Sequence, residues 1–319
     1  MRTKNAMQLK ARVNARAREA GIPAQSLMQS YLFERLLERL SKSKWRDNVI
    51  IKGGMLISSL VGVASRTTMD LDTTIMGFTL THESAEKIFS EVAEVDANDD
   101  WSFELDHTED IRETDDYPGI RVYLKAMYPP MAVPLKIDVT TGDSITPGPV
   151  AYDYPLLFDE GSVGLMSYPL ETVLAEKLET VVSRSVANTR PRDFYDIHLL
   201  WKTRGGEYEI PTLREALEHT CAKRGSVRMV ARWRLVLDEV ATDKAMLAQW
   251  GRYAKKNPLC SRHRADAVLR DGKRDPGRTR IIPHASWLPD SSTKMLSSRT
   301  VLLDKKSAGE NVPDTRKPS

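Results

Sequence analysis

The chain has 319 residues and 36.0 kDa, 41% of them apolar and 29% charged, enough for a buried core in one or two modest globular, soluble domains. No apolar run approaches the roughly 18 residues of a membrane helix; the basic N-terminus has no apolar signal stretch; and two cysteines, Cys221 and Cys260, exclude a disulfide framework and fit a reducing cytoplasm. Six Lys/Arg against one acid in residues 1–20, and sixteen against seven in residues 251–319, leave −11 for residues 21–250 of a chain whose net charge is +3, so its basicity belongs to the ends and is no argument for nucleic acid.

In chain order, Met7–Ala20 has helical spacing and stops at Gly21-Ile22-Pro23. Ser26–Ser41 follows with Leu27, Tyr31, Leu32, Leu36, Leu37 and Leu40 near a 3.6 period. Asn48–Lys52 is expected as a short strand that Gly53-Gly54 turns into a helix to about Leu60. Met69–Ile75 predicts a strand, and Thr81–Val95 an amphipathic helix with a threonine N-cap. Trp101–Asp106, Ile120–Met127 and Leu135–Thr140 alternate as half-buried strands do. Helices are predicted at Pro169–Val186 and Pro191–Thr203, each with proline in its opening turn, then at Thr212–Lys223 and Ala241–Ala254. The expected organisation is a helical arm (1–45), a mixed α+β core (46–165), an all-helical domain (166–256), and a tail (257–319) without period, disordered or atypical.

The chemistry concentrates in carboxylates. In Met69–Ile75, alternation sets Met69, Leu71, Thr73 and Ile75 on one face and Asp70 and Asp72 on the other, about 7 Å apart. Lys136-Ile137-Asp138 repeats the logic, with Leu135, Ile137 and Val139 inward and Lys136, Asp138 and Thr140 outward. If the two strands are neighbours, three carboxylates converge and raise one another's pKa. A divalent cation relieves that repulsion; Mg²⁺ prefers a few carboxylates with phosphate and water, and two such ions can bracket an in-line phosphoryl displacement. A lone D-x-D pair is more often a solvated strand face. Here it follows Gly53-Gly54, a strand-to-helix turn whose N–H groups can approach phosphate, flanked by the positive charges of Lys52 and Arg66.

These residues carry a family resemblance. Lys52-Gly53-Gly54, Arg66 to Asp72, Lys136-Ile137-Asp138, Tyr168 to Leu178 and Arg190 to Asp196 resemble the AbiEii/AbiGii toxin family of nucleotidyltransferases over roughly residues 26–205. The resemblance implies a polymerase-β-like core in an α+β fold with a following helical domain. It implies Asp70 and Asp72 as metal ligands, Asp138 completing the site, and Lys177 and Asp193 in the family's two later motifs. It further implies nucleotide transfer from NTP, in some relatives to a tRNA 3′ end, and neutralisation by a cognate antitoxin. Met55 departs from the Ser or Thr usual near the glycine turn, and the tail after Asn257 matches nothing in the family.

Lys177 falls inside the apolar stripe Leu170, Val173, Leu174, Leu178 and Val181, where an unpaired charge is costly. A snorkelling lysine is the plain reading. Asp193 sits likewise in the arc of Phe194, Ile197, Leu200 and Trp201, so the two opposite charges are expected as one pair or one cleft, with Lys177 on the triphosphate and Asp193 orienting it. Arg184, Arg190 and Arg192 crowd the inter-helix turn and can meet RNA phosphates. The six histidines show no metal spacing, and Tyr152, Tyr154 and Tyr168 are either base-stacking or plain packing residues. The expected activity is Mg²⁺-dependent NMP transfer from NTP to an RNA 3′ end, that of tRNA foremost. Transfer to a small molecule such as an aminoglycoside, which an acidic centre suits, or to a protein side chain is the enzyme alternative, and a degenerate binding fold the non-enzyme one. Bound NTP is expected at Lys52, Gly53, Gly54, Arg66, Lys136, Lys177 and Asp193.

Overall fold

Val49, Ile50 and Ile51 are fully buried on both faces of strand β1 (Val49–Lys52), which marks the centre of a sheet covered on both sides. Burying each such side chain contributes about 1.5–3 kcal/mol. The computed structural model describes residues 3–111 and 119–256, and the tail expectation for 257–319 lies outside the described residues. β1 is joined in one seven-stranded sheet by β2 (Leu71–Ile75), β3 (Ser102–Asp110), β4 (Ile120–Tyr128), β5 (Met131–Thr141), β6 (Val150–Pro155) and β7 (Ser162–Ser167), in the order β3-β4-β5-β2-β1-β7-β6. β2 runs parallel to β5 and β1 parallel to β7; the other neighbours are antiparallel. The alternation expected in the middle strands is present. Ile120, Val122, Leu124 and Ala126 of β4 are buried, as are Leu135, Ile137 and Val139 of β5.

Helix α1 (Ala6–Ala20) starts on an Asn5 side chain that accepts from the Gln8 N–H and ends at Gly21, left-handed at φ 66°. It packs on α2 (Ala24–Lys42), which also contacts β7 and α4 (His82–Ala93). α4 begins with a reciprocal capping box between Thr81 and Ser84, the threonine cap expected of it, and packs on β3 and β4. α3 (Gly53–Val61) leaves β1 directly and contacts β1, β2 and α6 (Pro191–Arg204). α5 (Leu170–Arg184) contacts α6, α7 (Ile210–Lys223), α8 (Val227–Val230) and α9 (Trp233–Thr242); α10 (Lys244–Lys256) follows.

Three expectations are corrected. β2 starts at Leu71, so Asp70 precedes the strand and Met69 is 38% exposed rather than inward. β6 and β7 lie where no strand was expected: β6 is an edge strand ending in Pro155, and β7 carries Gly164 in its middle, both of which weaken a strand signal. α9 lies within the expected helical domain where no individual helix was drawn, and α10 starts at Lys244 instead of Ala241. Among the described residues no helix is long and apolar enough to cross a membrane.

Candidate active site

The registers of β1, β2, β5 and β4 place four charged residues in one row. Lys52 is opposite Asp72, Asp72 opposite Asp138, and Asp138 opposite Arg121. Side chains directly opposite each other on one face stand about 4.5–5.5 Å apart at Cβ, so the row reads cation, anion, anion, cation across the sheet. Arg121 donates from Nε to Asp138 Oδ1 at 2.7 Å and from Nη2 to Oδ2 at 2.9 Å, a two-pronged pair. Lys52 turns toward Asp143 instead, donating at 2.5 Å to its Oδ2 and at 2.7 Å to Thr140 Oγ1. Tyr168 donates to the same Asp143 oxygen at 2.7 Å. Burial alone pushes the Asp143 carboxyl up, but the Lys52 ammonium and these hydrogen bonds outweigh it and hold the pKa at about 2.

Gly53 is required twice over. Its φ of 62° favours a residue without a side chain, and a Cβ there would lie 2.0 Å from Asp72 Oδ2. The Gly54 N–H donates to that oxygen at 3.2 Å, so the first turn of α3 carries the Asp72 carboxylate on its positive end. A Cβ on Gly54 would lie 2.7 Å from Thr68 Oγ1 and 3.1 Å from Arg66 Nη2. Burial raises the Asp72 pKa; the Gly54 N–H and Lys52 oppose the rise, the Asp138 charge reinforces it, and the net shift is upward.

The helical half reaches the same place through a buried four-charge network. Lys177 Nζ donates to Asp193 Oδ1 at 2.5 Å and lies 3.0 Å from Asp196 Oδ2. Arg66 Nε donates to Asp196 Oδ1 at 2.7 Å, and another guanidinium nitrogen to the Thr67 carbonyl. The network is neutral: two cations and two carboxylates that are 0% and 6% exposed. Burial pulls the Lys177 pKa down, yet Asp196 and Asp193 more than offset it, and the net shift is upward. Burial pushes Asp196 up, but Arg66 and Lys177 hold it below the ordinary carboxylate range. Asp193 and Asp196 are one turn apart on α6, so both can face α5. Asp193 Oδ2 is buried and has no hydrogen-bond partner among the described residues.

A cavity of about 490 Å³ joins these pieces, within the range of small-molecule sites. Lys52, Gly53, Gly54, Arg66, Asp70, Asp72, Asp138, Lys177 and Asp193 all line it, together with Arg190, Arg192 and Arg224. Of the residues expected at the site, Lys136 is the one not found in this wall; its ammonium sits 5.5 Å from the Tyr123 ring centroid. Lys52 and Arg66 are at the cavity but committed to Asp143 and Asp196. Tyr168 and Tyr154 are buried, and the Tyr152 hydroxyl bonds Ser59 at 2.9 Å, which makes all three packing residues. Arg121, Asp143 and Asp196 were not singled out from the sequence. Asp196 had a signal, a second acid one turn beyond Asp193. Arg121 had none without the strand order.

The donor set suits a hard, oxygen-seeking cation in part. Asp70 is exposed and Asp72 half-buried at the cavity, and Asp72 already bears the like charge of Asp138. Asp138 gives both oxygens to Arg121, and among the described residues no three acidic, histidine or cysteine side chains form a ready ligand group.

None of the curated proteins matches the chain. A protein from H. pylori assigned provisionally as a nucleotidyltransferase is 15% identical, with 76% of this chain and 97% of that one covered at a TM-score of 0.41. JHP933 from Helicobacter pylori is also 15% identical, covering 75% and 93% at 0.40. An antigenic nucleotidyltransferase-like protein from Paracoccidioides brasiliensis is 13% identical, covering 76% and 97% at 0.34. These likenesses are distant, and the assignment rests on the family match. The sequence pattern of the nucleotidyl transferase AbiEii toxins of type IV toxin–antitoxin systems matches residues 35–271, more than half of the chain, and the chain belongs to that family of nucleotidyltransferases.

Proposed function

We propose that this nucleotidyltransferase moves a nucleoside monophosphate from an NTP to the 3′-hydroxyl of an RNA, with tRNA as the acceptor, and that a cognate antitoxin protein restrains it in the cytoplasm. The observation that carries the reading is the single cavity shared by the Asp70/Asp72 carboxylates, the glycine turn and the cationic helix faces. A Mg²⁺ ion held by Asp70 and Asp72 would supply charge neutralisation for the triphosphate and acidify the attacking hydroxyl. Asp138 joins that set only by exchanging its Arg121 partner.

The chain's own residues bind and orient. Lys177 sits at the cavity between two carboxylates as a point charge for phosphate, with Asp193 and Asp196 fixing its position. Arg190 and Arg192, exposed at the start of α6, add positive charge beside a positive helix end. In the transfer the acceptor 3′-hydroxyl releases its proton to solvent, its oxygen bonds the α-phosphorus, the bond to the bridging oxygen breaks, and pyrophosphate departs.

Incubating the purified chain with each labelled NTP, Mg²⁺ and total RNA tests the reading. Label on an RNA of tRNA size is expected. Label on a small molecule or on protein would overturn the RNA assignment, and no label with any NTP would overturn transfer itself.

A further inference from the structure

A second cavity of about 520 Å³ also has Asp70 in its wall, and Asp70 is the residue the two cavities share. Its character is opposite to that of the first. Met28, Met69 and Met131 supply much of a chiefly apolar lining, which Val13 and Lys10 of α1 and Lys136 of β5 also join. In-line transfer needs the acceptor hydroxyl on the side of the α-phosphorus opposite the leaving pyrophosphate, and Asp70, in the wall of both cavities, stands where an acceptor can reach the donor from outside the donor's cavity. Flexible, polarisable methionines accommodate a flat base of any identity. A polycationic sugar is disfavoured there, since Lys10 and Lys136 repel it and the apolar wall offers it little.

Charge along the chain points the same way. Residues 21–250 carry −11, whereas α1 exposes Lys10, Arg12, Arg16 and Arg18. A phosphodiester strand is thus repelled by most of the body and attracted to the basic helix α1, which walls the apolar cavity together with α2. We propose that this cavity seats the 3′-terminal nucleoside of the acceptor RNA, with its preceding phosphates laid along α1. The proposal rests on the RNA-transfer reading above.

Two measurements on the full chain test it. A short RNA carrying 4-thiouridine as its last nucleotide, irradiated with the parent protein, is expected to crosslink to peptides containing Met28, Met69 or Met131. The same label several nucleotides back is expected on α1. Separately, Lys10→Glu and Met131→Glu are expected to weaken binding of the RNA, read by fluorescence anisotropy, about tenfold each, with NTP affinity unchanged. Terminal crosslinks on α6 or α7, or variants that lose NTP affinity while holding RNA, would overturn the assignment and leave RNA transfer standing. A parent protein that binds NTP but no RNA would overturn both readings together.

Discussion

Gly53 shows how one residue can decide a site. An alanine there meets two separate obstacles: a left-handed backbone costs an L residue about 1–2 kcal/mol, and its Cβ would collide with the Asp72 carboxylate at 2.0 Å. The collision cannot be relieved without moving Asp72, and a displacement of about 1 Å at a reacting centre costs roughly 100-fold in rate. Gly53→Ala is therefore expected to lower the melting temperature by a few degrees and to remove transfer almost entirely. Full transfer in a folded Gly53→Ala protein would show that Asp72 is not where the reaction occurs. Asp143 is the contrasting case, a carboxylate that stabilises rather than reacts. Its folded pKa of about 2 is depressed from the ordinary 3.8, so its stabilising contribution is present above about pH 4 and is lost as pH falls toward 2. That difference corresponds to about 2 kcal/mol. Asp143→Asn is expected to lower unfolding free energy by that order at pH 7, with the gap to the parent closing between pH 4 and 2. A gap that persists unchanged in acid would mean the loss comes from packing and not from the carboxylate's charge.

At the scale of elements, α5 and α6 are joined to the Arg66 loop by the Arg66–Asp196–Lys177–Asp193 network. Because that network is neutral and buried, removing one charge leaves another uncompensated, at about 3–5 kcal/mol. Lys177→Met is thus expected to destabilise the fold as well as weaken NTP binding, and adding Asp193→Asn is expected to recover part of the stability without recovering the binding. Urea unfolding of the two single variants and the double variant reads the coupling; additive losses would show that the pair is not coupled. Much of this level was legible beforehand. The misplaced charges on two consecutive helical wheels announced the Lys177–Asp193 pair, and alternation placed Ile137 inward and Asp138 at the cavity. Alternation predicts Asp70 inside a strand, whereas it lies outside β2, because the alternating pattern starts at Met69, two residues before β2 begins. β6 and β7 escaped because Pro155 and Gly164 break the pattern that periodicity reads, while pairing of β7 with β1 and of β6 with β7 supplies what propensity lacks. Arg121 was out of reach for another reason: a cross-strand partner is a property of strand order, which no local pattern records.

Over the whole molecule, the sheet holds two inner carboxylates between two flanking cations, and the two carboxylates differ in what neutralising them does. Asp72 has a raised folded pKa, so its charge is unfavourable to the folded state, and the stability it costs grows as pH rises through that pKa. Asp72→Asn is therefore expected to melt at or above the parent without metal at pH 7, with the difference vanishing in acid, where the parent's carboxyl is itself neutral. Asp138→Asn instead gives up the fork to Arg121; those side chains are 21% and 34% exposed, which limits the loss to about 1 kcal/mol or less. The two variants converge once substrate is added. Mg²⁺ with NTP at about 100 times its dissociation constant should stabilise the parent by about 2.7 kcal/mol, and both variants are expected to lose most of that gain together with transfer. Chelation with EDTA should abolish the gain in the parent as well. Thermal scans at pH 4, 7 and 8, with and without Mg²⁺ and NTP, separate the cases. If Asp72→Asn melts well below the parent without metal yet keeps the full ligand-induced shift, the carboxylate is structural and nucleotide binds elsewhere.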